Sequence, residues 1–151
     1  MIRTERRLRL CIALLVLILG FIWGNSLLPG EVSGAFSNWV QQLLTRIFGA
    51  REPREGSGLL RKIAHFSEFA ALGACLLWLM AMLGKKAKWA LLPGFAAACV
   101  DETIQCFVPD RGPSPVDVGI DTCGVMVGIM VLHFGYLFMK RKQNQQYMEE
   151  M

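Results

Sequence analysis

Residues 101–105, Asp-Glu-Thr-Ile-Gln, place two adjacent acids and an amide at the end of an almost unbroken apolar run, "ALLPGFAAACV". Two other apolar stretches carry polar groups near one end. His65 and Glu68 lie three residues apart, with Lys62 one turn earlier, and Asp117 and Asp121 lie four apart. Side chains three or four positions apart on a helix share a face. His65 can therefore act with Glu68, Asp101 and Glu102 each with Gln105, and Asp117 with Asp121. Asp101 and Glu102, being adjacent, diverge by about 100° at 3.6 residues per turn and must serve different neighbours. His65, Glu68, Asp101, Glu102, Asp117 and Asp121 are the candidates for chemistry. Lys62, Gln105 and Arg111 are the candidates for ligand binding.

Three chemistries fit these residue types. Lys62, Arg111 and His65 could meet a phosphate, while the acids tune those cations or meet sugar hydroxyls. Glu68, Glu102 and His65, completed by Asp117 or Asp121, could hold a divalent metal of the zinc or manganese kind, which over a phosphate substrate would mean hydrolysis or transfer. His65 could also act without metal as a general base oriented by Glu68. His-x-x-Glu is a common spacing and does not decide between them, so the metal ligands stay open.

The elements that must position these groups are apolar helices. Of the 151 residues, 54% are hydrophobic, and the mean hydropathy is +0.40. The apolar residues cluster in blocks at 8–28, 63–83, 88–108 and 116–139, each near the ~20 residues that cross a bilayer. A soluble domain would have to bury every face of four such helices in a short chain. The expectation is an all-α polytopic membrane protein: one domain over residues 1–151, built as a four-transmembrane-helix bundle. Residues 32–48 add an amphipathic helix too short to span, with Phe36, Trp39, Val40, Leu43, Leu44, Ile47 and Phe48 at helical steps; it is expected to lie at the interface after the first span. Residues 49–60 read as a Gly-rich charged connector. Residues 108–115 hold three prolines and must turn, which makes the third and fourth spans antiparallel neighbours.

Lys and Arg mark the cytoplasmic side of a membrane protein. Ten of the sixteen flank the first block, the 84–88 loop and the end of the fourth block, in short runs beside apolar sequence. That is membrane topology and not the basic stripe of a nucleic-acid binder; no nucleic-acid partner is expected. Both termini are expected in the cytoplasm, and the five acids and one amide of the helices, with His65, then fall within about 10 Å of the outer ends at 1.5 Å rise per residue. The result is an outward-facing acidic pocket with Arg111 in the loop above it. Ionisable groups at membrane depth point to function. The alternative is that His65 and Arg111 neutralise acids that only hold helices in register, but one pair would suffice for that, and five acids with two cations are more than packing requires.

The first apolar block is longer than a signal-peptide core, so an uncleaved span is expected. Cys11, Cys75, Cys99, Cys106 and Cys123 are odd in number and lack CxxC spacing, so they read as small packing residues. Gly124 and Gly128 form a small-xxx-small pair, which suits either close packing within the chain or a seam for an oligomer. His133 stands alone, in an interfacial or packing role.

"NSLLPG" (25–30), "KIAHFSEFAALG" (62–73) and "DETIQCFVPDRGPSPVDVGIDTCGVMVG" (101–128) together resemble the VanZ-like membrane proteins. The pattern is a Lys-x-x-His-x-x-Glu helix, an Asp-Glu-x-x-Gln segment ahead of a Pro- and Arg-containing turn, then two Asp four apart leading into Gly-rich apolar sequence. Phe69 departs from it, standing where the family often has Tyr. The resemblance implies a small multi-pass protein of the bacterial inner membrane, with a link to low-level resistance to the glycopeptide teicoplanin. On residues and resemblance together, the first expectation is binding of, or action on, a cell-envelope or lipid-linked ligand. A metal-dependent membrane hydrolase or transferase is the alternative, and a non-catalytic scaffold or transporter the third. Transport fits least, because the acids stay at one end.

Overall fold

A computed structural model describes residues 2–48 and 59–149. The described residues form α1 (Ile2–Ser26), α2 (Gly30–Phe48), α3 (Leu59–Met82), a short 3₁₀ turn (Ala87–Ala90), α4 (Leu91–Gln105) and α5 (Pro115–Glu149), with no strand among them. The all-helical expectation holds. Of the connector expected at 49–60, residues 49–58 lie outside the described residues, and Leu59 and Leu60 already belong to α3.

Among the described residues, three helices are long and apolar enough to cross a membrane: Thr4–Ser26, Leu59–Met82 and Pro115–Gln146, whose most apolar 18-residue stretches have mean hydropathies of 2.1, 1.6 and 1.8. They match the first, second and fourth expected spans. The block at 88–108 folds instead as the 3₁₀ turn followed by the 15 residues of α4, so its helix is shorter than the other three. At the far end, α5 runs ten residues past the expected 139, because "KRKQNQQYME" is made largely of good helix formers.

Local sequence explains the ends. Gly84 closes α3 with φ +65°, a conformation that glycine adopts without a Cβ clash. The Lys85 amide donates to the Met80 carbonyl and the Gly84 amide to that of Ala81, which satisfies the last carbonyls of the helix. Ser114 caps α5, its hydroxyl accepting from the Asp117 amide at 3.2 Å. Pro115 fills the first helical position, where a missing N–H costs nothing.

Cross-chain pairs give the helix directions. Asn25 meets Glu68 and Cys11 meets Cys75, so α1 and α3 are antiparallel. Lys62 meets Asp117, and Gly124 and Gly128 lie against Phe66 and Ala70, so α3 and α5 are parallel. Trp23 reaches Ala97 and Ser26 reaches Asp101, so α4 follows the direction of α1. The segment between Met82 and Pro115 therefore returns the chain along the full length of its neighbours.

The core lies along α3, whose most apolar window is 39% buried against 11% and 17% for α1 and α5. Phe69, Leu72, Cys75 and Leu76 pack there with Cys11, Leu15 and Ile22 of α1, Ala97 and Ala98 of α4, and Val125 of α5. Phe69 is fully buried beneath Gly124. Cys11 and Cys75 are buried with their sulfurs 3.9 Å apart, in the small packing role expected of them. Outward faces stay apolar, with Val16, Leu17 and Phe21 of α1 and Val131, Phe134 and Phe138 of α5 each 60–68% exposed. Exposed apolar surface on this scale suits a non-aqueous neighbour, and the length and apolarity of the three long helices fit a lipid bilayer in that role.

Three glycines set the closeness of α3 and α5. A Cβ at Gly73 would strike the Val125 carbonyl, one at Gly124 that of Phe66, and one at Gly128 that of Ala70. The close approach these residues permit is thus used within the chain. Gly128→Ala should lower the stability of the purified protein in detergent by about 1–3 kcal/mol through overpacking, read as a fall in the thermal melting temperature. Gly135→Ala, with no neighbour within 4 Å, should leave melting unchanged or raise it slightly.

Candidate functional site

The site forms where the ends of α1 and α4 meet the beginnings of α3 and α5. Asp101 is its centre and is fully buried. The Ser26 hydroxyl at the end of α1 donates to Asp101 Oδ2 at 2.8 Å, and the Gln105 side-chain amide donates to the same oxygen at 2.9 Å. His65 Nδ1 on α3 stands 3.9 Å from that oxygen, an ionic separation beyond hydrogen-bond reach. Asp101 Oδ1 is buried with no hydrogen-bond partner.

Glu102 faces elsewhere, as the 100° divergence requires. Its Oε2 accepts from the Ser114 backbone N–H at 2.7 Å, and its Oε1 accepts from Gln105 at 3.3 Å. One acid thus holds α1 and α4 together, and the other docks the 106–114 loop. Gln105 bridges both acids, because its i−4 and i−3 neighbours are Asp101 and Glu102.

Glu68 takes a hydrogen bond from the Asn25 side chain at 3.1 Å, and its second oxygen is buried and unpartnered. Lys62 pairs with Asp117 at 3.3 Å on the more exposed rim. Asp121, one turn deeper on α5, is only 1% exposed, and its Oδ1 has no partner. Arg111 donates from Nη1 to the Ser26 carbonyl at 3.4 Å, tying the loop to α1. Burial is the main influence lowering the Arg111 pKa, with the nearby Arg61 charge second, while Asp101 and Glu102 oppose the shift; a guanidinium remains charged throughout.

Arg61, Lys62, His65, Glu102, Gln105, Asp117, Ile120 and Asp121 line a cleft at this junction. Its free volume is about 10 Å³, room for a single water or an ion. His65, Asp101 and Asp121 each offer a ligand atom within 4.8 Å of the other two. Of the metal set read from sequence, His65 and Asp121 are in this group. Asp101 takes the place of Glu68 and Glu102, which are engaged by Asn25 and by Ser114 with Gln105. His133 is remote from the site, exposed on α5 and edge-on to the Phe134 ring.

Four contributors escaped the sequence reading. Asn25 and Ser26 signalled themselves as two polar residues ending an apolar run. Arg61 precedes His65 by four residues and so shares its face. Ser114 opens Ser-Pro-x-Asp, a helix-start signature. Ser26→Ala should destabilise the protein by about 1–3 kcal/mol, since it strips a donor from a buried carboxylate. Chemical unfolding in detergent would measure the loss, and a change below ~0.5 kcal/mol would contradict the described hydrogen bond.

The model of the protein family described as VanZ/LLP1 matches residues 11–138. No curated protein and no solved structure matches the chain.

Proposed function

The chain belongs to the VanZ/LLP1 family, and from that premise we propose a four-pass protein of the bacterial inner membrane whose polar junction faces the outer leaflet and binds the anionic head of a cell-envelope lipid or lipid-linked intermediate. The observation that carries the reading is the convergence of Arg61, Lys62 and His65 with buried carboxylates at one end of the apolar helices. The cations suit phosphate. Because the cleft admits only a water or an ion, the headgroup would rest at its mouth, on Arg61 and Lys62, with its chains along the exposed apolar faces.

The parallel course of α3 and α5 supports four crossings. If both span in the same direction, the segment between them must return across the bilayer, and α4 with its 3₁₀ turn covers 87–105. With the basic runs inside, both termini are cytoplasmic. α2 begins beside the polar junction, its Gly30 amide bonded to the Pro109 carbonyl. Trp39, Val32 and Leu43 are exposed along it, which suits a helix lying at the outer interface. A link to teicoplanin resistance would follow from altered presentation of such an intermediate. The second reading, a metal-dependent hydrolase or transferase, is favoured by the His65–Asp101–Asp121 grouping.

Lipid retained by the purified protein and identified by mass spectrometry tests the ligand. One phosphate-bearing headgroup class should be enriched over the bulk membrane, and Arg61→Ala with Lys62→Ala should cut the enrichment about tenfold; a lipid profile equal to the bulk membrane's removes the reading. Topology has its own check. A single cysteine replacing Ser57, in a variant lacking the five native cysteines, should react with an impermeant thiol reagent in intact cells, and protection until lysis would reverse the orientation.

A further inference from the structure

We infer that His65, Asp101 and Asp121 form a binding site for one divalent transition cation, of the manganese or zinc kind, at the junction of α3, α4 and α5. Each ligand comes from a different helix, and the three ligand atoms lie within 4.8 Å of one another. A cation ~2.1 Å from each needs separations of roughly 3.0–3.5 Å between them, so the side chains draw in slightly on binding.

The case rests on what hydrogen bonding leaves undone. Asp101 and Asp121 are 0% and 1% exposed, and the Oδ1 of each is buried without a partner. His65 Nδ1 is buried and unpartnered as well. Buried carboxylate oxygens are normally hydrogen-bonded, paired with a cation or bound to a metal. Lys62 is engaged with Asp117 and Arg111 Nη1 with the Ser26 carbonyl, while Arg61 lines the adjoining cleft without a described ion pair to Asp101 or Asp121. These three unsatisfied atoms come from the three residues that can close on a common point.

The surroundings have the form of a metal site's outer shell. Ser26 and Gln105 both donate to Asp101 Oδ2 and so fix the carboxylate plane. Hydrogen bonds of this kind, made to a side chain that ligates a metal, orient the ligand and raise affinity. The adjoining cleft has room for one water, which completes a three-ligand site in the manner of an open, reactive one. One imidazole with two carboxylates suits manganese or zinc better than magnesium or calcium, which favour all-oxygen sets. The cation would sit beneath the proposed phosphate position, and this part rests on the lipid-headgroup reading. Cation binding itself does not, and is measured without lipid.

The full chain, purified in detergent and stripped with a chelator, is titrated with Mn²⁺ and followed by electron paramagnetic resonance, then separately with Zn²⁺ by metal analysis after desalting. One equivalent should bind with micromolar or tighter affinity. Asp121→Asn should weaken it at least tenfold, whereas Glu31→Gln, an exposed acid on α2, should stay within twofold. Mn²⁺ should also raise the melting temperature of the wild-type protein and leave that of Asp121→Asn unmoved. Asp121→Asn removes an unpaired buried acid and keeps its shape, so it should fold; if it does not, His65→Gln supplies the same comparison. Binding by the wild-type protein no stronger than by Asp121→Asn overturns the inference, and points to a shared proton as the neutraliser. One equivalent of Mn²⁺ in a protein that retains no enriched lipid would leave the cation site standing and remove the headgroup; the converse would remove the cation site alone.

Discussion

A carboxylate wholly withdrawn from solvent is the constraint on which the arrangement of this protein turns. Asp101 is fully buried where four helices meet, and an ionised or neutral carboxyl group there must find its partners inside the protein. Three neighbours face it: the Ser26 hydroxyl from the end of α1, Gln105 from one turn along α4, and His65 from α3. The end of α1, the register of α4 and the start of α3 are fixed together by that one residue. Glu102 extends the constraint to the loop, because its second oxygen holds the Ser114 backbone N–H just where Ser114 caps α5.

Hydrogen bonds of this kind need close backbones, and the small residues supply them. Gly73, Gly124 and Gly128 let α3 and α5 approach until a single Cβ would strike a carbonyl. Gly94 of α4 leaves room in the same way for the Val125 side chain. In a bilayer, lipid offers as much apolar contact as another helix does, so helix association depends on such packing and on internal polar bonds. The two devices occupy different depths here. Polar bonds gather at one end of the helices, and glycine contacts run on from there beside Phe69 and Leu72.

Periodicity and apolar block length made the three long helices legible, together with the end at which the polar groups gather. The divergence of Asp101 and Glu102 was legible too, since it follows from helix geometry alone. The length of α4 was not. Its sequence is apolar from Trp89 to Val100, but the 3₁₀ turn takes up Ala87–Ala90, and the hydrogen bonds after Gln105 become those of a turn. Hydropathy does not record where backbone bonding changes. The common direction of α3 and α5 followed from the order of four spans, but their direct packing was hidden, because a contact such as Gly128 with Ala70 depends on which faces meet. Asn25 and Ser26 entered the sequence reading only as the start of "NSLLPG", and their roles came from the acids that the fold brings to them.

The oxygen atoms of the five acids sort those residues by task. Both oxygens of Glu102 are engaged by the chain's own donors, which makes it a fastener. Asp117 is paired with Lys62 at the rim. Glu68 and Asp101 are each half-satisfied, held by one oxygen with the other left bare. Asp121 is the most deeply buried acid of α5, and none of the described hydrogen bonds reaches its Oδ1. Glu102 and Asp117 are thus the fasteners, while Glu68, Asp101 and Asp121 each keep one buried oxygen without a hydrogen-bond partner. A purely structural cluster would gain by satisfying every member, since a half-satisfied buried network is less stable than a complete one or an apolar one. Glu68 and Arg111 also keep a buried atom without a hydrogen-bond partner, but among the described residues it is His65, Asp101 and Asp121 whose ligand atoms lie within 4.8 Å of one another, and it is at those three that the inferred cation would complete the arrangement.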